Sequence, residues 1–146
     1  MKVLIRQMEV KDAHRCFDLE MSCFGYKVRF DKDILYSRLS GLAEHGVSFV
    51  AIYKKEIIGH ISSFYTRTGD IYVDFLCIQK KYQRKGVGKQ LLSHLQSENP
   101  RSNIWLRTGS NNQIAIKFYL SMNYQIHEVK GTEWLYRDIV MVLKRK

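Results

Sequence analysis

Apolar and polar positions recur along this chain in blocks whose period changes several times. Residues 3–8 read as a first strand. Between 11 and 24, Ala13, Phe17, Leu19 or Glu20, and Phe24 return near every 3.6 residues, which predicts a helix. Asp31 is placed to cap a second helix running to about residue 44, with Ile34, Leu35, Leu39 and Leu42 as its stripe and Gly46 as its stop. Three strand-like runs follow at 47–53, 57–66 and 70–78, separated by turns at 54–56 and 68–69. Their connections are too short for crossovers, so the three predict an antiparallel meander. Residues 86–98 place Val87, Leu91, Leu92 and Leu95 on one helical face, 104–107 read as a strand, and 112–122 as a helix carrying Ile114, Ala115, Phe118 and Tyr119. Residues 124–129 and 139–143 form a last antiparallel pair around the loop 130–138. The order is β-α-α-β-β-β-α-β-α-β-β. The strand, helix, strand step at 70–107 requires one parallel crossover, so the class is α+β with a mixed, mostly antiparallel sheet.

At 146 residues this is expected to be a single domain, 1–146. No apolar run approaches the roughly 20 residues of a membrane helix, so no membrane partner is expected. Lys and Arg number 24 against 14 Asp and Glu, a formal charge of +10. That excess favours a polyanionic partner, or serves solubility alone. The cysteines are Cys16, Cys23 and Cys77, an odd number with no C-x-x-C, and no histidine pair has zinc spacing; neither a disulfide framework nor a metal is expected. Arg6 interrupts the first apolar run, which excludes a signal-peptide core there, and reduced thiols without an export signal point to the cytoplasm.

Chemistry concentrates in residues 79–90, QKKYQRKGVGKQ. Gly86 and Gly88 let a ligand approach the backbone, the loop opens a helix whose first N–H groups lack partners, and Lys80, Lys81, Arg84, Lys85 and Lys89 add positive charge. Together these describe a diphosphate cradle. Taken alone, the same residues also describe a glycine-bearing helix start with solvated lysines. A Walker A loop is excluded because Gln90 follows Gly88-Lys89, and the dinucleotide fingerprint because Leu91 stands where its third glycine belongs.

The pattern that fits is Q-x-x-G-x-G at Gln83, Gly86 and Gly88, within LCIQKKYQRKGVGKQLL (76–92). Downstream, Asn112, Ala115, Phe118-Tyr119 and Asn123-Tyr124 follow an N-x-x-A, [FL]-Y, G-[FY] order. In these two segments the chain resembles the GNAT superfamily of N-acetyltransferases. Its look is nearest to the branch acting on protein N-termini, including ribosomal-protein alanine acetyltransferases, judged by WLRTGSNNQIAIKFY (105–119) and YRDIVMVLK (136–144). Residues 1–46 share fold likeness without motif likeness. Asn123 replaces the usual Gly, a mild change because Asn tolerates a left-handed backbone.

The resemblance implies a GNAT-like sheet with a splayed pair of strands flanked by helices, and acetyl-CoA as cosubstrate. It places the pantetheine arm against the main chain of Leu76, Cys77 and Ile78, and the diphosphate on Gln83, Arg84, Lys85, Gly86, Val87, Gly88 and Lys89, with Asn112 near the pantetheine. Cys77 is then a small strand residue and not a nucleophile. Tyr119 matches the family tyrosine that protonates the departing thiolate; its other reading is a packing aromatic. The terminal-amine branch carries Glu where this chain has Arg107. Asp74, placed by strand alternation on the face of Tyr72 and Leu76, is the remaining candidate base. It reads equally as a solvated carboxylate or as a partner of Arg107. The acceptor, a peptide N-terminus or small amine, is expected between the loop 25–30 (Tyr26, Arg29) and the loop 130–138 (Trp134, Tyr136, Arg137). Direct transfer in a ternary complex is the expected reaction, and a non-catalytic CoA-binding or RNA-associated module on the same fold is the alternative. Nucleic acid is expected only through a ribonucleoprotein substrate. A homodimer is compatible with the family, and no residue specifies its interface.

Overall fold

The computed structural model describes residues 1–24, 32–131 and 137–145. Within these residues seven strands form one sheet in the order β1-β2-β3-β4-β5-β7-β6: β1 Leu4–Gln7, β2 Phe49–Tyr53, β3 Glu56–Tyr65, β4 Ile71–Ile78, β5 Ile104–Gly109, β6 Gln125–Lys130 and β7 Asp138–Leu143. Among the described residues four α-helices flank it: α1 Ala13–Phe24, α2 Lys32–His45, α3 Val87–Glu98 and α4 Gln113–Ser121. The sheet is antiparallel except for β4 against β5, which is the expected crossover. The first helix begins later than its pattern suggested, because Val10–Asp12 is a 3-10 turn in which the Asp12 carboxylate accepts from the Glu9 N–H. The cap at Asp31 lies outside the described residues.

Strand alternation sends Phe49 and Ala51 into a core under α3 and α4, and Val50 into a second core under α1 and α2. In α2 the inward residues are Leu39 and Ala43, one helical turn apart, while Ile34 is 67% exposed. Ile34 was expected in the stripe; at five residues from Leu39 it lies on a different face. The β2–β3 turn is made by Lys54 and Lys55, both left-handed. Asn123, standing for glycine, is left-handed too, at φ +70°.

Two features of β4 shape the molecule. First, it meets β5 only at Ile71–Ile104 and Tyr72–Trp105. Past those rungs β4 stays with β3 and β5 stays with β7, so the strands part. Asp70 pins the joined end, accepting from the Asn103 N–H at 3.2 Å and from the Trp105 indole N–H at 3.0 Å. Second, Ser62 pairs with Phe75 but Ser63 pairs with Val73, so Asp74 is an extra residue in a β-bulge.

Candidate active site

The parted strands expose main-chain groups. The Gln79 N–H bonds Ile58 O at 2.7 Å, and the register then makes His60–Cys77 the next hydrogen-bonded pair. Cys77 therefore turns its amide groups toward β3, while Leu76 and Ile78 turn theirs toward the gap. A cavity of about 650 Å³ opens on this edge, bounded by Leu76–Ile78, the loop from Tyr82 to Lys89, and Ile114, Phe118 and Tyr119 of α4.

The loop is shaped for its position. Arg84 and Gly86 both take left-handed backbones, φ +61° and +84°. Gly86 caps α3, and the Gln90 N–H is the first to bond back within the helix, to Gly86 O at 3.0 Å. The N–H groups of Val87, Gly88 and Lys89 thus lack helical acceptors and point out of the N-terminus, where a helix favours an anion. Gln83 braces the loop, its side-chain amide donating to Ile78 O at 2.9 Å. Asn112 caps α4, its side-chain oxygen accepting from the Ala115 N–H at 3.1 Å, so that oxygen is committed to the helix.

The thiols lie on the wall. Cys23 Sγ donates to Ile78 O at 3.1 Å, and Cys77 Sγ donates to Leu19 O at 3.2 Å. Hydrogen bonding with Cys23 and burial push the Cys77 thiol far above its ordinary range, the opposite of an activated nucleophile.

A second cavity, about 410 Å³, shares Tyr119 with the first and is lined by Tyr72, Asp74, Arg107 and Asp138. Leu76, Asn112, Ala115 and Tyr119 line both cavities. Tyr119 is 9% exposed, and burial pushes its phenol up to about 12. The bulge interrupts the simple alternation expected at Asp74, whose Oδ2 accepts from Arg38 Nη1 of α2. Asp74 is thus neither a free carboxylate nor the partner of Arg107, which lies 3.7 Å from Asp138. Arg38 also donates to Glu20 at 2.7 Å.

Arg38 and Glu20 were missed as site residues. Their one signal was Glu20 falling on the apolar stripe of α1, where a carboxylate needs a partner. Tyr26, Arg29, Trp134 and Tyr136 lie outside the described residues. Arg137 closes onto Ser110 through its main chain, its N–H donating to Ser110 Oγ at 3.1 Å and its C=O accepting from the Ser110 N–H at 2.8 Å. Among the described residues, no group of three His, Cys, Asp or Glu is placed to hold a metal, and no helix is long and apolar enough to cross a membrane.

Solved structures share this architecture. The ribosomal-protein-S18-alanine N-acetyltransferase of Escherichia coli superposes with a TM-score of 0.82 at 19% identity, covering 97% of this chain and 93% of that one. The PaiA N-acetyltransferase of Thermoplasma acidophilum in complex with coenzyme A gives 0.81 at 16%, over the full length of both. NAA60 of Arabidopsis thaliana in complex with a bisubstrate analogue gives 0.77 at 15%, over 97% of each. At these identities the likeness speaks for the fold. The sequence speaks for the family: the profile of the acetyltransferase (GNAT) family matches residues 13–124, from the start of α1 to Tyr124 just before β6, and the chain belongs to that family.

Proposed function

We propose that this protein moves an acetyl group from acetyl-CoA directly to a primary amine, a peptide N-terminus or a small-molecule amine, with both substrates bound at once. The GNAT family uses acetyl-CoA, which supplies an activated acetyl thioester. The residues present suit it. The main-chain groups of Leu76 and the N–H of Ile78, whose carbonyl is held by Gln83 and Cys23, offer a strand edge to the amides of a pantetheine arm, and the N–H groups from Arg84 to Lys89 suit a diphosphate. Lys80, Lys81 and the basic side chains of the loop add long-range attraction.

The observation that carries the reading is the position of Tyr119 between the two cavities. With its phenol near 12 it stays protonated at neutral pH, so it offers the departing sulfur a hydrogen bond and a proton. Asp74 faces the second cavity, where it orients the incoming amine and takes its proton directly or through water. Any carboxylate is a weak base, which suits an acceptor that is already partly neutral. An α-amino group, with a pKa of about 8, is partly neutral at pH 7, whereas a lysine near about 10.4 is not. One structural neighbour, the ribosomal-protein-S18-alanine N-acetyltransferase of Escherichia coli, is named for an alanine of a protein, which is in keeping with a peptide acceptor.

The test is release of free CoA thiol with a panel of free-N-terminus peptides and small amines, wild type beside Tyr119→Phe. Turnover with one acceptor class, sharply reduced in the variant, supports the reading. Ping-pong kinetics, or tight CoA binding with no turnover on any amine, would overturn it, the latter in favour of a non-catalytic CoA-binding module.

A further inference from the structure

A line of charged groups runs from the interior to the second cavity. Its inner end is Glu20 of α1, with a side chain 1% exposed; Arg38 of α2 stands in the middle at 24%; Asp74 in the bulge is the outer end at 27%. Arg38 Nη2 donates to Glu20 Oε2 at 2.7 Å, and Nη1 donates to Asp74 Oδ2. The guanidinium also lies over the Phe75 ring, 4.7 Å from its centroid. The second oxygen of Glu20, Oε1, has no hydrogen-bond partner among the described residues; His60 Nε2 stands 3.4 Å away. His60 is fully buried, and burial pulls its pKa down to about 3, so it is a neutral imidazole.

Stability alone does not account for such an arrangement. Replacing buried ion pairs by well-packed apolar residues is often neutral or stabilising. The outer end supplies a reason, because Asp74 opens on the cavity read above as the amine site. One guanidinium is shared by two carboxylates. The trio carries a net negative charge when both are ionised and none when Glu20 holds a proton. The groups facing Glu20 are Cys16 and Cys23 on its own helix, Arg38 from α2, His60 from β3, and Asp74 and Cys77 from β4. Among the described residues of this set, Arg38 is the sole cation.

We propose that Glu20 is a positioning residue for the acceptor: through Arg38 it fixes the Asp74 carboxylate and sets how much negative charge the second cavity presents to an ammonium group. This rests on the reading of that cavity as the amine site. Ionised Glu20 shares Arg38 and leaves Asp74 partly uncompensated, so the cavity attracts a cation. Protonated Glu20 releases its claim, Arg38 neutralises Asp74, and the attraction fades. Burial, only partly offset by Arg38, pushes Glu20 up to about 7, which puts the change near neutrality. The KM for amine therefore falls as pH rises through that value.

The experiment compares wild type with Glu20→Gln, measuring kcat and KM for one peptide acceptor between about pH 6 and about pH 8.5. The acceptor's own ionisation cancels in the ratio of the two enzymes. The ratio of kcat/KM, wild type over variant, is expected near one at the acid end and about fivefold at the alkaline end, carried by KM. Calorimetric CoA binding reports that the variant is folded. Should Glu20→Gln not fold, Arg38→Lys serves, since an ammonium cannot bridge both carboxylates and the pH step in KM is expected to vanish. Turnover with a flat ratio, or a wild-type pH step in Arg38→Lys, overturns this inference and leaves the acetyltransferase reading intact. Absence of turnover on any amine overturns both.

Discussion

Tyr119 differs from Tyr124, its neighbour with ring centroids 5.7 Å apart, in lining both cavities while Tyr124 lines neither. Tyr119→Phe keeps the ring and removes the proton, so kcat is expected to fall about 10²–10⁴-fold with CoA affinity unchanged, read from initial rates and calorimetry. Glu20 has a consequence for stability as well. Its pKa rises from 4.5 unfolded to about 7 folded, so the folded state holds the proton more tightly. The fold is favoured below about 4.5, and that advantage is lost as pH climbs through 7, by at most about 3 kcal/mol. Urea unfolding at several pH values between those limits is expected to show it as a difference: wild type loses stability relative to Glu20→Gln as pH rises, while the opposite contribution of neutral, buried His60 is common to both. At this scale the sequence was informative where chemistry is written locally. Tyr119, Asn112 and the loop from Gln83 to Lys89 stand in two short motifs, and the structure brings them around one gap. Glu20 and Asp74, the ends of the line through Arg38, lie 54 positions apart in the chain, and nothing local announces it.

Elements were legible in kind and order, less so in their irregularities. Periodicity locates β4 but not the extra residue at Asp74, because a bulge is a matter of pairing with β3 and leaves no mark in the strand's own composition. That is why alternation along 72–76 did not reveal the shift in register at Asp74 or its pairing with Arg38. Gly59 and Gly86 separate two ways an element can fail. A Cβ at Gly59 would stand 2.7 Å from Ile78 Cδ1 and 3.0 Å from Cys77 O, so Gly59→Ala presses β3 against β4 beneath the free edge. It is expected to destabilise the protein by about 1–3 kcal/mol, seen as a lower Tm. A Cβ at Gly86 meets nothing within 4 Å, but the residue sits at φ +84°. Gly86→Ala therefore strains the loop by about 1–2 kcal/mol without a clash. Its expected signature is about tenfold weaker CoA binding by calorimetry with little change in KM for amine.

Across the whole molecule, the charge of +10 is concentrated partly on the loop that faces the first cavity, where Arg84 and Lys89 line it directly. CoA affinity is therefore expected to drop several-fold as ionic strength rises from about 0.05 to 0.5 M, with the Debye length shrinking from roughly 14 to 4 Å. A salt-independent Kd would assign binding to the main-chain donors alone. Global topology was readable because the connection lengths permit few arrangements, yet the extent of the parting between β4 and β5 was not. It depends on Asp70 holding only one end. The sheet is in effect two smaller sheets on a shared pivot, and on the proposed function a pantetheine arm laid along β4 would act as a missing strand. Its imprint has a period of two. On CoA binding, amide hydrogen exchange is expected to slow at Leu76 and Ile78, while Cys77 between them, already bonded to β3, keeps its rate.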